Sequence, residues 1–297
     1  MKENTTTNEM TEQLLASDNH VLLLNPGGNA LPLFLVPGAG GLSDSYYELA
    51  RALGEIPVVG LHMVGTQPGD TPLKSIREMA RTNIRWLRQI QPQGPYALLG
   101  HSFGANVAFE MALQLEKTGQ TVSFVAILDA WAGLKGIRLA GENKIGFVLN
   151  LAADYYRDFD IIGEPYPEWV NEIPSIIEQL GMEEVVPAIG MFLKSKLPGK
   201  ADNIDFVTRL INLRLYNAQM DYMPEQRISG AVLVYKSEVG GEDIDNTMGW
   251  APFSDHLHVI FLPGNHDMLN HDNVTTICND LKGRWYSPVT GPGQIFH

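Results

Sequence analysis

One stretch, residues 96–105 with the sequence YALLGHSFGA, constrains the fold of this chain more than any other. A short apolar run, typical of a buried strand, leads into the pentapeptide GHSFG, and small and apolar residues then recur at helical spacing. The stretch therefore predicts a strand, a sharp turn and a helix, with Ser102 at the apex of the turn. The glycines have a steric reason, because a Cβ at Gly100 or Gly104 would collide with the neighbouring strand or helix.

This turn predicts a nucleophilic serine. A Gly-x-Ser-x-Gly turn between a strand and a helix is the nucleophile elbow of α/β-hydrolases, and it presents the Ser102 hydroxyl at the edge of the sheet. A serine hydroxyl is a poor nucleophile at neutral pH, so it needs a histidine to accept its proton and a carboxylate to orient that histidine. In this fold the three residues follow in the order serine, acid, histidine.

The hydrophobic pattern along the rest of the chain predicts an α/β protein. Strand-like runs alternate with helical patterns, which favours a mostly parallel central sheet flanked by helices. Two of the helices carry Ser-x-x-Glu capping boxes, at Ser45 with Glu48 and at Ser75 with Glu78. The predicted strands lie at residues 21–24, 31–36, 57–63, 97–99, 121–128, 231–235 and 258–262.

The strand pattern stops between residues 130 and 230, where helical character is interrupted by prolines that include Pro187. We interpret this segment as a helical lid insertion over the active-site edge, within a catalytic domain of residues 21–285. Residues 1–20 are predicted to be a flexible tail. Residues 286–297, with two prolines and two glycines from 287 onward, are predicted to be a loose tail.

Eight histidines are available as the general base, and their positions separate them. His266 follows the last predicted strand at its carboxyl end, the edge of the sheet to which Ser102 also belongs. His271 is the alternative, five residues further on. Among the others, three precede Ser102 and two lie before or at the start of the last strand, at the opposite edge of the sheet; they are His20, His62 and His101, and His256 and His258.

The acid has more than one candidate. Asp129 ends the strand that follows the elbow helix, and we favour it. Glu238, Asp243 and Asp245 follow the next strand, which is the commoner position in α/β-hydrolases. An aspartate after a strand also serves often as a helix N-cap, which is the alternative role for Asp129.

Two backbone amides are predicted to form an oxyanion hole. The loop at residues 37–41, PGAGG, follows a buried strand, and its three glycines let the backbone approach a ligand. In this fold that loop supplies one donor and the residue after the nucleophile supplies the other, so we assign the N–H groups of Ala39 and Phe103. A phosphate-binding loop is disfavoured, because no Lys-Ser/Thr pair follows the glycines.

Composition excludes several classes of function. The formal net charge of −13 disfavours a nucleic-acid partner, since phosphate binding needs a basic face. A single cysteine, Cys278, permits no internal disulfide and indicates a reducing compartment. No apolar run reaches membrane-spanning length, and the N-terminus lacks the apolar core of a signal peptide. We expect a cytoplasmic protein without a membrane partner, a metal or a cofactor of its own.

Three local patterns make the sequence resemble the thioesterase domains that end non-ribosomal peptide and polyketide synthetases. They are PLFLVPGAGG at 32–41, GHSFGANVAFEMALQLEKTG at 100–119 with LDAW after the next strand, and PGNHDML at 263–269. The resemblance covers about residues 21–281 and is weakest in the lid. It implies Asp129 as the acid, because the family's serine-to-aspartate spacing looks the same.

The resemblance also implies a reaction. Ser102 would attack a thioester whose acyl, peptidyl or polyketide chain hangs on the phosphopantetheine arm of a carrier protein. The chain would then leave by hydrolysis or by macrocyclisation. Nothing before Val21 resembles a carrier domain, so we expect either a separate protein acting in trans or a domain of a larger synthetase, and the first residues slightly favour the former.

Three other functions stay open at this point. A trans-acting editing thioesterase would more often carry a histidine in the glycine-rich loop, and here that loop reads VPGAGG. A carboxylesterase or lipase would share the triad without the carrier, and a non-catalytic α/β-hydrolase would be a binding module. For docking an acidic carrier we consider two basic clusters, which are Lys194, Lys196 and Lys200 in the lid and Lys135, Arg138 and Lys144 after Asp129.

Overall fold

The computed structural model describes residues 19–135, 143–163, 165, 167–177, 180–238, 245–266, 268–286 and 295–296. These residues fall into two compact units. The first, which we call the sheet unit, comprises the described residues of Met1–Val64, Leu73–Lys135 and Asp221–His297. The second, the helical unit, comprises those of Gly65–Pro72 and Gly136–Met220.

The sheet unit is built on a mostly parallel sheet, as the alternating pattern predicts. Its spatial order is β1-β3-β2-β4-β5-β6-β7-β8, and only β1 is antiparallel, to β3. β4 lies between β2 and β5, so the strand that leads into the predicted elbow is central. The strands are β1 (Val21–Asn25), β2 (Leu33–Val36), β3 (Val58–Leu61), β4 (Tyr96–His101), β5 (Val122–Leu128), β6 (Ala231–Ser237), β7 (Leu257–Leu262) and β8 (Ile295–Phe296).

The central strands are apolar because both of their faces are buried. All four residues of β2 and all four of β3 are buried, as is usual for parallel strands covered by helices on both faces. The helices of the sheet unit are α1 (Tyr47–Ala52), α2 (Ile76–Ile90) and α3 (Phe103–Lys117), with a fourth near the carboxyl end of the chain at His271–Tyr286.

One of the two predicted capping boxes is wrong. The Ser75 hydroxyl accepts a hydrogen bond from the Glu78 amide at 3.2 Å and caps α2 as predicted. Ser45 lies inside a 3-10 turn, Asp44–Tyr46, and α1 begins only at Tyr47. The Tyr46 amide donates to the Ser43 carbonyl oxygen at 3.1 Å, so Ser45 already lies within a helical turn whose N-cap is Ser43.

The helical unit consists of α4 (Asn143–Asp158), α5 (Ile173–Ile177), α6 (Met182–Lys196) and α7 (Ala201–Ala218). It has a core of its own, to which α4, α6 and α7 all contribute buried side chains. Pro187 does not interrupt the chain as predicted but lies inside α6. Burial of its neighbours Val185, Val186 and Ile189 offsets the cost of about 3 kcal/mol that proline brings to a helix interior. The domain boundaries and the role of this segment as a lid stay predictions.

The carboxyl end of the chain differs from the prediction. The last helix is α8 (His271–Tyr286), and Ile295–Phe296, within the segment predicted to be a loose tail, forms β8 beside β7. Two residues are too few to produce an alternating pattern, so the sequence gives no signal for this strand. Across the described parts of the chain, the helices are too short or too polar for one of them to traverse a bilayer.

Candidate active site

Ser102 occupies a strained turn between β4 and α3. Its backbone φ is +52° and its ψ is −124°, a region that residues with a side chain rarely adopt. The turn is held on both sides, because the Ser102 amide donates to the Leu128 carbonyl oxygen at 2.9 Å and the Ala105 amide donates to the Ser102 carbonyl oxygen at 3.0 Å. Such strain persists where the surrounding structure fixes it, and it is common at catalytic residues.

The two glycines of the elbow have the steric role predicted from the sequence. A Cβ at Gly100 would lie 2.4 Å from the Cα of Ala105, at the start of α3. A Cβ at Gly104 would lie 2.2 Å from the carbonyl oxygen of Pro37, just after β2. Both contacts are with backbone atoms, which cannot rotate away, so the prediction of a steric requirement is confirmed.

The three side chains proposed for the triad form a continuous hydrogen-bonded chain. Nε2 of His266 lies 2.9 Å from Oγ of Ser102, and Nδ1 of His266 lies 2.8 Å from Oδ2 of Asp129. These residues come from the ends of β4, β5 and β7, which meet at one edge because the strands are parallel. The imidazole is therefore oriented with one nitrogen toward a hydroxyl and the other toward a carboxylate.

Asp129 is held as an anion by its surroundings. Its side chain is buried, and Oδ1 accepts hydrogen bonds from the amide of Ser237 at 2.8 Å and from its hydroxyl at 2.9 Å. Burial alone would raise the pKa of Asp129, but the hydrogen bonds from His266 and Ser237 outweigh it and lower the pKa below its ordinary value. The carboxylate thus stays charged, with one oxygen hydrogen-bonded to Ser237 and the other to His266.

The alternative acids and bases lie elsewhere. The Asp245 carboxylate accepts from the amide and hydroxyl of Thr247 and from the Gly249 amide, so it caps its own turn. Glu238 is exposed, and Asp243 lies outside the described residues. His271 is exposed and faces Glu48 at 3.4 Å.

The other histidines have places consistent with the prediction. His258 is buried in β7, and its neighbour His256 lies just before that strand, with its carbonyl oxygen accepting from the Val232 amide. His62 is buried and its Nδ1 accepts from the Ser43 amide at 2.9 Å. His20 stacks on Trp86 with ring centroids 5.2 Å apart.

The glycine-rich loop lies against the nucleophile. A Cβ built on Gly38 would be 3.7 Å from Cβ of Ser102, so a side chain at this position would contact the serine. Ala39 follows directly in this loop, and Phe103 is the first residue of α3. The N-terminus of a helix carries partial positive charge, which suits a developing oxyanion. The assignment of the Ala39 and Phe103 amides as donors stays a prediction.

A cavity of about 360 Å³ opens beside Ser102 and His266. One wall is the segment after Asp129, which Asn106 fixes by donating to the Trp131 carbonyl oxygen at 3.1 Å and accepting from the Gly133 amide at 2.8 Å. The cavity is lined by both apolar and basic side chains. Its remaining lining includes Phe103, Leu134, Lys135, Lys236 and Met248.

Three further residues at the site are absent from the sequence-based prediction. Ser237 anchors Asp129, Tyr46 contacts both the glycine-rich loop and His101, and His101 stacks on His266. His101 is inside the elbow motif, so its position beside the nucleophile was visible. Ser237 and Tyr46 carry no motif signal, since their roles arise only when distant segments meet in the fold.

The lysines considered for carrier docking are mostly engaged within the helical unit. Lys194 pairs with Asp205 at 2.6 Å and Lys196 with Glu172 at 2.9 Å, while Lys200 donates to the Asp160 carbonyl oxygen at 2.5 Å. In the second cluster, Arg138 and the side chain of Lys144 lie outside the described residues, and Lys135 is exposed at the cavity.

The fold and the placement of the serine define the class of protein, an α/β-hydrolase with its nucleophile elbow after a central strand. Residues 31–143 match the family model described as the thioesterase domain. The match includes the glycine-rich loop, the elbow and Asp129.

Relatives of known identity agree with this match. The indigoidine synthase of Streptomyces lavendulae is 43% identical over 278 residues, which is 90% of this chain and 20% of that protein. The dimodular nonribosomal peptide synthase of Bacillus subtilis (strain 168) is 38% identical over 146 residues, 48% of this chain and 6% of that protein. The chain spans a fifth or less of the length of these curated relatives.

Solved structures share the fold. A four-domain nonribosomal peptide synthetase matches 94% of this chain with a TM-score of 0.69 at 21% identity, over 21% of its own length. The surfactin thioesterase domain matches 92% of this chain and 99% of its own, with a TM-score of 0.60 at 15% identity. The resemblance to thioesterase domains of nonribosomal peptide synthetases that the motifs predict is confirmed.

Proposed function

We propose that this chain is a serine thioesterase that releases an acyl or peptidyl chain from the phosphopantetheine arm of a carrier protein. The observation that carries the proposal is the hydrogen-bonded chain from Ser102 through His266 to Asp129, at the mouth of a cavity in a thioesterase-like fold. No cofactor of the enzyme's own is required, because the substrate brings the phosphopantetheine with it.

In the first half of the reaction, Oγ of Ser102 attacks the thioester carbonyl carbon while its proton passes to Nε2 of His266. The carbonyl oxygen becomes an oxyanion, and we assign the amides of Phe103 and Ala39 as its hydrogen-bond donors. Removal of one such donor costs about 3–4 kcal/mol of transition-state stabilisation in well-studied hydrolases. The tetrahedral intermediate then collapses, the C–S bond breaks, and His266 returns its proton to the departing pantetheine sulfur.

In the second half, the acyl group is an ester on Ser102. A water molecule, or an amine or hydroxyl of the acyl chain itself, attacks this ester after His266 removes its proton. His266 then protonates Oγ of Ser102, which regenerates the enzyme. Asp129 stabilises the imidazolium in both halves and stays ionised, in keeping with its lowered pKa. The second nucleophile determines whether the product is linear or cyclic.

A chain-terminating role is favoured over an editing role by the identity of the acid. His266 bonds to Asp129, which follows the strand after the elbow helix, and the alternative Asp245 is engaged in its own turn. An acid at the position of Asp129 is what the resemblance to chain-terminating domains implies. An acyl or peptidyl carrier protein, or a carrier domain, is accordingly the proposed partner.

The location proposed for this reaction is the cytoplasm. Cys278, the single cysteine of the chain, is buried, and burial raises the pKa of its thiol to about 11. It therefore carries little thiolate at neutral pH and is poorly suited to redox chemistry. The protein depends on no disulfide of its own, which suits a reducing compartment.

Matched thioester and oxygen-ester substrates test the proposed function. An acyl-pantetheine thioester and the corresponding oxygen ester should differ in kcat/KM in favour of the thioester, and loading the same acyl group on a carrier protein should raise kcat/KM further. Equal rates for both esters with no gain from the carrier would favour a carboxylesterase. No turnover and no labelling of Ser102 by a fluorophosphonate would favour a binding module.

A further inference from the structure

A buried tyrosine links the glycine-rich loop to the residue that precedes the nucleophile. The amide of Gly38 donates a hydrogen bond to Oη of Tyr46 at 3.0 Å, and the same oxygen lies 2.8 Å from Nδ1 of His101. Tyr46 is only 3% exposed, and burial raises the pKa of its phenol to about 12. The phenol is therefore neutral, with a single proton to donate.

Two partners share this one oxygen. Oη of Tyr46 accepts from the Gly38 amide and lies within hydrogen-bond distance of Nδ1 of His101, and a hydroxyl can serve both partners at once. The contact with Nδ1 fixes the orientation of the His101 ring.

The His101 ring in turn supports the general base. Its centroid lies 5.3 Å from that of His266, and the two rings are inclined by 27°. One edge of His266 is occupied by Ser102 and Asp129, so His101 supplies a face against which the imidazole rests. A side chain fixed by Tyr46 therefore limits how far His266 can tilt away from Ser102.

The loop is tied at a second point as well. Gly41, at its far end, accepts a hydrogen bond from the Met63 amide at 2.9 Å, and its own amide donates to the Gly38 carbonyl oxygen at 2.9 Å. Ala39 lies between these two hydrogen-bonded glycines, and a Cβ built on Gly38 would be 3.7 Å from Cβ of Ser102. The hydrogen bond from the Gly38 amide to the Tyr46 hydroxyl accordingly fixes the end of the loop that lies nearest to Ser102.

We infer that Tyr46 and His101 are positioning residues, which together align the glycine-rich loop and the His266 imidazole around Ser102. The inference rests on the proposed function, since it presumes that Ser102 is acylated. It assigns one hydroxyl two tasks, holding the loop that carries Ala39 and fixing the ring that supports the base. Misplacement of catalytic groups by about 1 Å costs about a hundredfold in rate.

Tyr46→Phe is the direct test, because it removes the hydroxyl and keeps the ring that fills the core. We expect the rate constant for labelling of Ser102 by a fluorophosphonate to fall about tenfold to a hundredfold. In thioester turnover, kcat should fall by a similar factor while KM stays within about twofold, because the lost alignment matters most in the transition state. A purely structural role would leave the labelling rate of the folded variant unchanged.

Tyr96→Phe is the matched control. Tyr96 is another buried tyrosine at the start of β4, and its hydroxyl donates to the Gln91 carbonyl oxygen at 3.1 Å. Tyr96→Phe removes a buried hydroxyl as Tyr46→Phe does, but at the other end of the strand from Ser102. Its labelling rate should stay within about twofold of wild type, since the lost bond touches neither the loop nor His101.

Two results would overturn the inference. One is a folded Tyr46→Phe variant whose labelling rate lies within about twofold of wild type, and the other is an equal fall in Tyr96→Phe. If Tyr46→Phe does not fold, His101→Phe replaces it. This variant keeps a ring beside His266 but removes Nδ1, the atom of His101 that contacts the Tyr46 hydroxyl. It should label at least about fivefold more slowly. Because labelling needs no acyl substrate, wild-type protein that labels without turning over thioesters would contradict the proposed function alone.

Discussion

At the scale of single residues, the chemistry of the site depends on how Asp129 is satisfied. One of its oxygens faces His266, and the other accepts two hydrogen bonds from Ser237. A carboxylate that accepts this many bonds is held in one orientation, so it also fixes which nitrogen of His266 carries the proton. Asp129 thereby orients the imidazole proposed as the general base, through the nitrogen that does not face Ser102.

Asp129→Asn should lower thioester turnover by about a thousandfold or more, because an amide can present its NH2 group to Nδ1 and favour the wrong tautomer. The fold should be retained, since the amide is isosteric and Ser237 can still donate to its oxygen. Steady-state kinetics on an acyl-pantetheine thioester, with circular dichroism of the same samples, provide the measurement.

Asp245→Asn is the control for this substitution. Its carboxylate caps a turn through Thr247 and Gly249, so its loss should reduce stability slightly and leave kcat within about threefold of wild type. A variant pair with the opposite behaviour, an active Asp129→Asn and an inactive Asp245→Asn, would show that the acid is wrongly assigned.

At the residue scale, the sequence allowed selection of residues that carry a motif. Ser102 and His266 could be selected from the elbow and from the chain order of the fold, and Asp129 from the resemblance of its spacing. Tyr46 and Ser237 could not, because an ordinary tyrosine on a short helical turn and a serine at a strand end become partners of the site only through tertiary contacts. Tyr46 reaches His101 at the end of β4, and Ser237 reaches Asp129 where β5 and β6 pair.

At the scale of elements, the elbow is a joint between β4, α3 and the end of β2. Gly104 brings α3 into contact with the backbone after β2, and Gly100 brings β4 into contact with α3. The nucleophile therefore depends on two close approaches that no side chain can tolerate. The strain at Ser102 is sustained by the packing of these elements.

Gly104→Ala should be severely destabilising, because its Cβ would lie 2.2 Å from the carbonyl oxygen of Pro37. Relief requires α3 to move relative to β2, and we expect a loss of about 3 kcal/mol or more in the free energy of unfolding. Urea denaturation followed by fluorescence measures the loss. Expression only as insoluble protein would be consistent with the same cause.

Gly283→Ala is the matched glycine substitution in this unit. Gly283 lies within α8, where a Cβ meets nothing within 4 Å, so alanine should stabilise the helix by up to about 1 kcal/mol. A Gly104→Ala variant as stable as wild type would contradict the account of the elbow. Equal destabilisation by both substitutions would also contradict it.

The elements themselves were largely predictable, and the exceptions have physical reasons. The buried strands are continuous apolar runs, so seven of them could be located within a few residues. The capping box at Ser45 failed because the chain enters a 3-10 turn there, and Pro187 failed as a breaker because apolar packing in α6 outweighs the proline. β8 has only two residues and depends on pairing with β7, which is a tertiary property.

At the scale of the whole molecule, each of the two units carries a tyrosine whose ionisation opposes folding. Burial raises the pKa of Tyr46 in the sheet unit and of Tyr156 in the helical unit from 10.0 to about 12. The folded state therefore holds these protons more tightly than the unfolded state does. The associated stability is fully present below pH 10 and is lost as the pH rises through about 12.

We therefore expect the free energy of unfolding to decline between pH 10 and about 12, as measured by urea denaturation at fixed ionic strength. Tyr156→Phe should make this decline shallower, because it removes one buried phenol whose pKa is raised. Tyr156 belongs to the helical unit and is not one of the proposed site residues. A free energy of unfolding that is flat to pH 12, or identical pH profiles for the variant and wild type, would contradict the burial of these phenols.

The two units also differ in how much of their structure the sequence predicts. The α/β class and the resemblance to thioesterase domains could be read from three short patterns, all of them in the sheet unit. The helical segment at 130–230 contributes no such pattern, because its side chains form their own core and helical cores accept many sequences.

The measurement that tests the central claim most directly is the site of covalent labelling by a fluorophosphonate in the folded protein, located by mass spectrometry of peptides. We predict a single adduct on Ser102, which forms much more slowly in His266→Ala and Asp129→Asn and disappears in Ser102→Ala. An adduct on another residue, or labelling of Ser102 at the same rate without His266, would contradict the claim that this hydroxyl is activated by the imidazole beside it.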